Sequence, residues 1–589
     1  MIKVNRNVLW SEIFINELVN AGIRHACISP GSRNTPLVYA CVTNKKIKSF
    51  SIIDERGSGF FALGIAKSTT KPVILICTSG TATAEFYPAI IEAYQSKVPL
   101  IICTADRPPY LLGTGTNQTI NQHNLYRNHI LWFADAGLPK TTLKNVWHIK
   151  NIARIAFIKS TIENRGPVHI NFPFDEPLDP ALLTDNLIDD QILNSKNINI
   201  PFSFADNLKE SDDFKNLKDI SEKIKKYKKR IIVVGFDNYS EDFFEACIRL
   251  SNRLKSPILA DSTSGFRTKG YYTENILTHY DTYLKSEFFS ESHNPDLIIQ
   301  FGRNFTSKAL TNFISGCACE KLLVNKFGDW NNPNNKLSNV FACEPAVFCN
   351  EVCSLLKNEK SKSTKWLNDF LIIENTAREI KKNLLSKLKF PTEIKIVEEL
   401  VKALPSGAKL VVSNSLPVRD LDFILPLTKK RITIYHNRGA SGIDGIVSTA
   451  LGIAQESKGR TYLLIGDLAF YYDLNSLLLA KKYPASLTII LINNNGGRIF
   501  EMLHAAKMKK QIKNYFITPH NLDFKRIVTA FGLKHYHIKN LADFKDKLSK
   551  NDDLSVLELK TDPIKSFLIR KKYYEKVNEA LIQNSLKLS

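Results

Sequence analysis

The chain has 589 residues, of which 44% are hydrophobic and 23% are charged, a composition typical of globular proteins. This length exceeds what one hydrophobic core supports, so we expect three or four domains. The formal net charge of +22 is compatible with a nucleic-acid partner, but the lysines are scattered and no basic ribbon with interleaved aromatic residues occurs. The scattered distribution of the charge therefore argues against nucleic-acid binding as the main function.

Membrane and secreted classes are also disfavoured by the sequence. No run of 18 apolar residues is present, and the N-terminus lacks the apolar region and cleavage site of a signal peptide. The ten cysteines show no paired framework, and the spacing of Cys317 and Cys319 does not suit a metal site. We therefore expect a cytoplasmic protein with free, mostly buried thiols.

The first domain is predicted over residues 1–184. In this region apolar strands alternate with helical segments, and each strand ends on polar residues or glycine. Such a pattern predicts a parallel sheet with polar groups at the carboxyl ends of its strands. The candidate functional residues that follow these strand ends are Ser32, Arg33, Glu55 and Arg107.

Glu55 is the most informative of these residues. It directly follows an apolar strand and opens an apolar helix, so the sequence predicts that it lies in the interior. A lone glutamate is rarely buried without a partner or a function. Arg33 is more ambiguous, because a solvated arginine in an ordinary turn fits the sequence equally well.

The middle of the chain is predicted to form a second α/β domain between two linkers. Residues 185–228 are polar and are predicted to be a linker ending in a basic helix, and 356–390 to be a second linker with a helix. Strands separated by helices predict a doubly wound sheet over 229–355. Lys308 in this domain is a candidate substrate contact, although a solvated lysine is the plainer interpretation.

The third domain is predicted over residues 391–589 and carries the strongest motif. An apolar strand ends at Gly466-Asp467-Leu468, a helical pattern follows over 473–481, and the next strand ends at Asn493-Asn494-Asn495-Gly496-Gly497. Carboxylate, amide and backbone oxygens from Asp467, Asn494 and Gly496 suit Mg²⁺ that also binds a diphosphate. An ordinary turn with polar residues is the alternative.

These residues resemble the thiamine-diphosphate motif, Gly-Asp-Gly followed after about two dozen residues by Asn-Asn. Leu468 stands where glycine is usual, and this departure resembles the 2-succinyl-5-enolpyruvyl-6-hydroxy-3-cyclohexene-1-carboxylate synthase family of menaquinone biosynthesis. The segments 29–36, 54–59, 78–118, 415–445 and 466–503 resemble the same family. Lys308 departs from the family pattern in part, because its neighbour is Ala309 where relatives carry a second basic residue.

The resemblance implies three doubly wound parallel-sheet α/β domains, thiamine diphosphate with Mg²⁺ or Mn²⁺, and a homodimer or homotetramer with active sites between subunits. It implies a transferase that decarboxylates 2-oxoglutarate and adds the product carbanion to isochorismate. The catalytic residues it implies are Glu55, Gln118 and Arg438. The cofactor contacts it implies are Glu55, Ser415, Leu416, Gly442, Ile443, Gly466, Asp467, Leu468 and Asn494, with Asp467, Asn494 and Gly496 on the metal.

The substrates are multiply anionic, and arginine forks suit carboxylates. The implied substrate contacts are Ser32, Arg33, Arg107, Asn117, Gln118, Lys308, Ser415, Arg419, Arg438, Ile499, Phe500 and Leu503. Core packing is an equal alternative for the three apolar members of that set. Other functions also remain open: another thiamine-diphosphate enzyme of the 2-oxoacid decarboxylase or acetohydroxyacid synthase kind, or a cofactor-binding protein without catalysis, which Glu55 argues against.

Overall fold

The structure is a computed structural model that describes residues 2–162, 164–187, 210–303, 305–330, 339–356, 365–550 and 553–588. Within these residues the chain forms three six-stranded sheets whose paired strands are all parallel. This confirms the predicted α/β fold with three doubly wound domains. No helix in the described part of the chain is long and apolar enough to cross a membrane.

The first sheet has the strand order β3-β2-β4-β5-β7-β6, and β1 pairs separately with β8. The elements of this region are β1 (Ile2–Val4), α1 (Arg6–Asn20), β2 (His25–Ile28), α2 (Thr35–Thr43), β3 (Lys48–Ser51), α3 (Glu55–Thr69), β4 (Val73–Cys77), α4 (Thr81–Glu85), α5 (Tyr87–Gln95), β5 (Leu100–Asp106), β6 (Phe133–Asp135), α6 (Leu143–Thr161), β7 (Pro167–Pro173) and β8 (Asp185–Leu187). Cys27 of β2 packs on one face of the sheet and Ala26 on the other, so hydrophobic cores cover both faces.

The middle sheet has a different strand order, β11-β10-β9-β12-β13-β14. Its elements are α7 (Glu210–Lys226), β9 (Arg230–Val234), α8 (Glu241–Leu254), β10 (Ile258–Ala260), β11 (Ile276–Leu277), α9 (Tyr280–Tyr283), α10 (Glu287–Ser292), β12 (Leu297–Phe301), α11 (Lys308–Gly316), β13 (Glu320–Asn325), β14 (Asn339–Ala342) and α12 (Pro345–Leu355). Large parts of the two predicted linkers, residues 188–209 and 357–364, lie outside the described residues.

The third sheet repeats the connectivity of the first, with the order β16-β15-β17-β18-β20-β19. Its region contains α13 (Lys365–Ser386), α14 (Glu393–Ala403), β15 (Lys409–Val412), α15 (Leu416–Ile424), β16 (Thr433–Tyr435), α16 (Ile446–Gln455), β17 (Thr461–Gly466), α17 (Asp467–Tyr472), α18 (Ser476–Lys482), β18 (Leu487–Asn493), α19 (Lys509–Ile512), α20 (Phe524–Ala530), β19 (Lys534–His537), α21 (Leu541–Ser549), β20 (Leu554–Lys560) and α22 (Pro563–Leu588).

The helix predicted over 473–481 is confirmed in the main, but it begins three residues later than predicted and is preceded by a separate short helix. Helix α17 ends at Tyr472 and α18 begins at Ser476. At the break, the buried Asp473 carboxylate accepts hydrogen bonds from the Ser448 amide at 2.8 Å and from the Ser476 hydroxyl at 2.7 Å. These tertiary contacts are invisible to a pattern read along the chain.

The first and third domains dock through the crossing of α3 and α16. A Cβ placed on Gly64 would lie 2.2 Å from the Thr449 carbonyl oxygen, and one on Gly452 would lie 2.1 Å from the Phe61 carbonyl oxygen. Glycine is therefore required on both helices where their backbones meet. Apolar residues of both domains surround the crossing and form one continuous core.

The middle and third domains are joined by Arg267, which is fully buried. Its Nη1 donates to the carbonyl oxygens of Asp422 and Leu425, and its Nη2 lies 3.0 Å from Asp422 Oδ1. The same carboxylate accepts the backbone amide of Ser262 at 2.9 Å. Burial raises the pKa of Asp422 to about 6, although Arg267 opposes this shift.

Arg267→Met is expected to lower the free energy of unfolding by about 3–5 kcal/mol, because it leaves Asp422 buried without its cation. The pKa of Asp422 then rises further, and a folded-state pKa above the unfolded value loses stability as pH rises. Denaturant unfolding should therefore show a larger loss at pH 8 than at pH 5. The exposed Arg249, whose ion pair with Glu245 spans 3.7 Å, provides the control, and Arg249→Met should change stability by less than about 0.5 kcal/mol. Equal stability of the two variants would contradict the assignment.

Candidate functional site

The site of interest lies at the carboxyl ends of the strands of the third sheet. The chain passes from β15 to β16 on one side and then to β17 on the other, so β15 and β17 flank a point where the strand order reverses. Ligands of open α/β sheets bind in the crevice at such a point. Ser415 follows β15 and Asp467 follows β17, which places both residues at this crevice.

Asp467 is held in one orientation by the backbone around it. Its Oδ1 accepts the Leu468 amide at 2.7 Å, and its Oδ2 accepts the Gly496 amide at 3.0 Å. His520 Nε2 also lies 3.2 Å from Oδ2. The residue is 2% exposed, and Oδ1, which accepts one hydrogen bond, retains a lone pair for a further ligand.

Asn494 is oriented by a carboxylate from another segment. Its amide nitrogen donates to Glu393 Oε1 at 2.7 Å, which leaves its amide oxygen as the atom that is able to bind a cation. Glu393 is the first residue of α14 and is buried. Burial, and then the neighbouring Asp420, raise the pKa of Glu393.

Gly496 occupies a turn that no other residue fits. Its φ is +124°, and a Cβ at this position would lie 2.1 Å from the Ile517 carbonyl oxygen. The next amide, Gly497, donates to that oxygen at 2.7 Å. Asn495 Oδ1 accepts the amides of His520 and Asn521, so residues 494–497 are tied to the segment 517–521.

These groups fit Mg²⁺ bound to a diphosphate. They bring together one carboxylate, one amide oxygen and a turn that is rich in backbone groups, and hard divalent cations prefer such oxygen ligands with phosphate oxygens completing the shell. A Cβ on Gly466 would meet nothing within 4 Å, so there is open space beside Asp467. No cluster of three or more His, Cys, Asp or Glu residues suited to a metal occurs in the described part of the chain.

Two arginines of the third domain lie beside this crevice. Arg419 Nη1 donates to the Ser415 carbonyl oxygen at 2.6 Å, and Ser415 has a φ of +71°, which is unusual for a residue with a side chain. Burial lowers the pKa of Arg419, and the nearby Arg438 lowers it further. Guanidinium groups whose charges act on one another in this way suit the binding of a carboxylate.

A second arginine pair lies in the first domain. Arg107 Nη1 donates to the Ser79 hydroxyl, and burial followed by the charge of Arg33 lowers the pKa of Arg107. Arg33 Nη1 donates to the Phe174 carbonyl oxygen at 3.1 Å and lies 3.3 Å from a carboxylate oxygen of Glu176. The structure therefore brings together two cations that the sequence places 74 positions apart.

The other predicted substrate contacts of the first domain are more exposed than Arg33 and Arg107. Gln118 has a φ of +55° and packs against Gly80, where a Cβ would lie 3.4 Å from the Gln118 Cα. Ser32 and Asn117 are exposed in the single chain. Their predicted contacts with substrate stay predictions.

Glu55 is the first residue of α3 and is half-buried. Burial raises its pKa, and the charges of Asp54 and Glu85 add to the effect. The neighbouring Arg56 Nη2 donates to the Tyr472 carbonyl oxygen at 2.9 Å, so α3 begins near the end of α17 that is opposite to Asp467. Among the residues that the structure describes, no hydrogen bond or ion pair joins Glu55 to Asp467, Asn494 or Gly496.

The remaining candidates differ in how close they lie to the crevice. Gly442 accepts the Asn414 side-chain amide at 2.6 Å, and Ile443 packs against the shared core of the first and third domains. Leu416 begins α15 directly after Ser415. Lys308 is exposed at the start of α11 in the middle domain.

The apolar residues that follow the turn at residues 494–497 are not buried in the single chain. Ile499 and Phe500 are partly exposed, and Leu503 is 46% exposed. Phe500 packs edge-on against Phe516 with ring centroids 5.3 Å apart. Core packing within the single chain therefore does not account for them, and their contact with substrate remains a prediction.

The sequence pattern does not predict three residues that contact the candidate site residues or the loop of Arg438. Glu393 and His520 contact Asn494 and Asp467 from positions far along the chain, and Glu92 contacts the loop that carries Arg438. Glu92 lies in the middle of an apolar helix, α5, and a glutamate in such a position indicates a buried carboxylate with a partner. Nothing in the local pattern around the other two marks them.

Three family models match successive parts of the chain. Residues 10–125 match the thiamine pyrophosphate enzyme N-terminal TPP binding domain, residues 208–412 match the middle domain of thiamine pyrophosphate enzymes, and residues 426–556 match the C-terminal TPP binding domain. The fold is also that of benzoylformate decarboxylase from Polynucleobacter necessarius, with a TM-score of 0.69, 16% identity and coverage of 95% of this chain and 99% of that one. Fold and site together define a thiamine-diphosphate-dependent enzyme.

Relatives of known function identify the family within this class of enzymes. The chain is 37% identical to the 2-succinyl-5-enolpyruvyl-6-hydroxy-3-cyclohexene-1-carboxylate synthase of Bacillus velezensis, over 93% of this chain and 94% of that protein. It is 37% identical to the synthase of Listeria innocua, with 96% and 97% covered, and 36% identical to that of Desulfitobacterium hafniense, with 93% and 96% covered. The chain belongs to the 2-succinyl-5-enolpyruvyl-6-hydroxy-3-cyclohexene-1-carboxylate synthase family.

Gly496→Ala is expected to weaken the binding of thiamine diphosphate with Mg²⁺ by at least about tenfold, because the turn must move to relieve the contact with Ile517. Titration of the cofactor against intrinsic fluorescence measures this affinity. Gly459→Ala is the matched control in the same domain, since a Cβ there would meet nothing within 4 Å. Wild-type affinity in Gly496→Ala would remove this turn from the site.

Proposed function

We propose that this chain decarboxylates 2-oxoglutarate with thiamine diphosphate and adds the remaining four-carbon unit to isochorismate by conjugate addition. The product is 2-succinyl-5-enolpyruvyl-6-hydroxy-3-cyclohexene-1-carboxylate, an intermediate of menaquinone biosynthesis. The observation that carries the proposal is family membership over nearly the whole chain, joined to a crevice that carries metal ligands and an arginine pair.

The third domain would hold the diphosphate end of the cofactor. Asp467, the Asn494 side-chain oxygen and the Gly496 carbonyl oxygen would bind Mg²⁺ or Mn²⁺, and the orientation of Asp467 and Asn494 by backbone amides and Glu393 supports this role. When bound, thiamine diphosphate supplies the nucleophilic carbon and the electron sink for decarboxylation. Ser415, Leu416, Gly442, Ile443, Gly466 and Leu468 would contact it.

The two arginine pairs would bind and orient the carboxylates of the two substrates. Each substrate carries two carboxylates, and the chain offers Arg33 with Arg107 and Arg419 with Arg438. Burial in each pair strengthens the attraction for an anion, because a carboxylate relieves the repulsion between the guanidinium groups. Ser32, Asn117, Gln118 and Lys308 would add polar contacts, and Ile499, Phe500 and Leu503 would exclude water.

Glu55 would hold the proton that activates the cofactor, from the first domain of the partner subunit. Its raised pKa supports a role in which the carboxyl group is protonated for part of the cycle. The resemblance to the family implies that the site is shared by two chains. The protein would therefore act as a homodimer or homotetramer.

A cytoplasmic location is part of the proposal. All ten cysteines are free, and seven of them are buried, as expected for a protein of a reducing compartment.

Carbon dioxide release from 2-oxoglutarate tests the function, measured with thiamine diphosphate and Mg²⁺ in the presence and absence of isochorismate. Release is expected to become fast when isochorismate is present and to disappear when the metal is chelated. Pyruvate in place of 2-oxoglutarate is the matched control, because it lacks the second carboxylate that an arginine pair would bind.

The outcomes separate the candidate functions. Fast consumption of pyruvate would indicate another 2-oxoacid decarboxylase or an acetohydroxyacid synthase-like enzyme, and would contradict the proposed substrates. Cofactor binding without any turnover would indicate a binding protein. Absence of cofactor binding would contradict the whole proposal.

A further inference from the structure

Glu92 of the first domain has both carboxylate oxygens directed at a loop of the third domain. Oε1 accepts the Gly439 amide at 3.0 Å and Oε2 accepts the Ala440 amide at 2.7 Å. Oε1 also accepts the Ser96 hydroxyl at 2.6 Å. Glu92 is 2% exposed, so these hydrogen bonds form away from bulk water and are correspondingly strong.

Lys67 holds the same loop from α3. Its Nζ donates to the His436 carbonyl oxygen at 2.6 Å, to Asn437 Oδ1 at 2.8 Å and to Glu92 Oε1 at 3.4 Å. These three bonds use every proton of the ammonium group. Lys67 and Glu92 thus form one buried ion pair that is joined to the loop through both of its members.

The loop is also fixed from the side of its own domain. The Asn414 side-chain amide donates to the carbonyl oxygens of Asn437 and Gly442, each at 2.6 Å. Gly439 permits the close approach of α5, because a Cβ there would lie 2.5 Å from the Ser96 hydroxyl oxygen and 2.9 Å from the Glu92 carbonyl oxygen. Residues 436–442 therefore lie in a clamp between two domains.

Arg438 stands at the centre of this clamp, between the residues that Lys67 and Glu92 bind. The geometry points to Glu92 and Lys67 as positioning residues that set where the Arg438 guanidinium meets the substrate carboxylate. This inference rests on the proposed function, in which Arg438 binds an anionic substrate. The first domain would then also position a substrate-binding residue of the third domain in its own chain.

Glutamate suits this position in a way that glutamine does not. Two backbone amides point at two separate oxygens, and glutamine would present its own N–H₂ group to one of them. Glu92→Gln keeps the volume and removes the charge, so it should release one side of the loop without opening a cavity.

The test is a double-mutant cycle of Glu92→Gln and Arg438→Ala, measured as KM and kcat for both substrates. Glu92→Gln is expected to raise KM about tenfold for the same substrate whose KM rises in Arg438→Ala, with the cofactor affinity unchanged. The double variant should be no worse than Arg438→Ala within about twofold, because Glu92 acts through Arg438. Additive losses would show a merely structural role and overturn the inference.

Glu456→Gln is the matched control. Glu456 also joins the first and third domains, with His25 and Lys48 each 3.1 Å from its Oε1, but it lies outside the clamp. Its substitution should leave both KM values unchanged. Equal effects of Glu92→Gln and Glu456→Gln would mean that domain docking in general, rather than the position of Arg438, governs KM.

Two further measurements keep the result decisive. Lys67→Met should reproduce the KM pattern of Glu92→Gln, and hydrogen exchange of the Gly439 and Ala440 amides should accelerate in both variants, whether or not turnover is measured. Unchanged exchange would refute the clamp. If Arg438→Ala itself has normal KM values in an active enzyme, the proposed role of Arg438 fails, whereas an impaired Arg438→Ala beside a normal Glu92→Gln refutes this inference alone.

Discussion

Helices α3 and α16 cross with their backbones in contact, and the relation between the first and third domains depends on this crossing. Gly64 and Gly452 allow it, since a Cβ on either would overlap a carbonyl oxygen of the other helix. A shared core surrounds the crossing, so the two domains cannot shift without exposing apolar surface. Lys67 near the end of α3, together with Glu92 of the neighbouring α5, is thereby brought to the loop 436–442.

Two pairs of arginines influence one another, one pair in the third domain and the other in the first. Arg419 and Arg438 lie close enough for one to lower the pKa of the other, and Arg33 and Arg107 do the same. Such repulsion costs stability in the free protein and is relieved when an anion binds. Glu92 and Lys67 bind the backbone of the loop that carries Arg438.

Much of this arrangement is predictable because strand ends are marked in the sequence. The runs before Gly466 and Asn493 are apolar and end on polar residues or glycine, and parallel strands bring such ends to one edge. The structure joins Asp467 to Gly496 by a hydrogen bond, and the role of Asp467, Asn494 and Gly496 in binding a metal stays a prediction. Which subunit supplies Glu55 is a matter of assembly and does not follow from any local pattern.

The residues that orient the site escaped prediction for a physical reason. Glu393 lies 101 positions before Asn494, and Glu92 lies 347 positions before Gly439, so their partners are set by topology. The late start of α18 has a similar cause, because the Asp473 carboxylate accepts the Ser448 amide from 25 positions away. Sequence periodicity reports on local structure and burial, whereas these contacts depend on how three sheets dock.

We propose that each active site combines Glu55 of one chain with the metal-binding residues Asp467, Asn494 and Gly496 of another chain. Subunit complementation tests this most directly, with Glu55→Gln and Asp467→Ala, each inactive alone, mixed under conditions that exchange subunits. One site in each mixed dimer would then be intact, and activity should recover to about one quarter of the wild-type level. Mixtures that stay as inactive as the separate variants, while mass measurements show that mixed dimers have formed, would contradict a site shared between subunits.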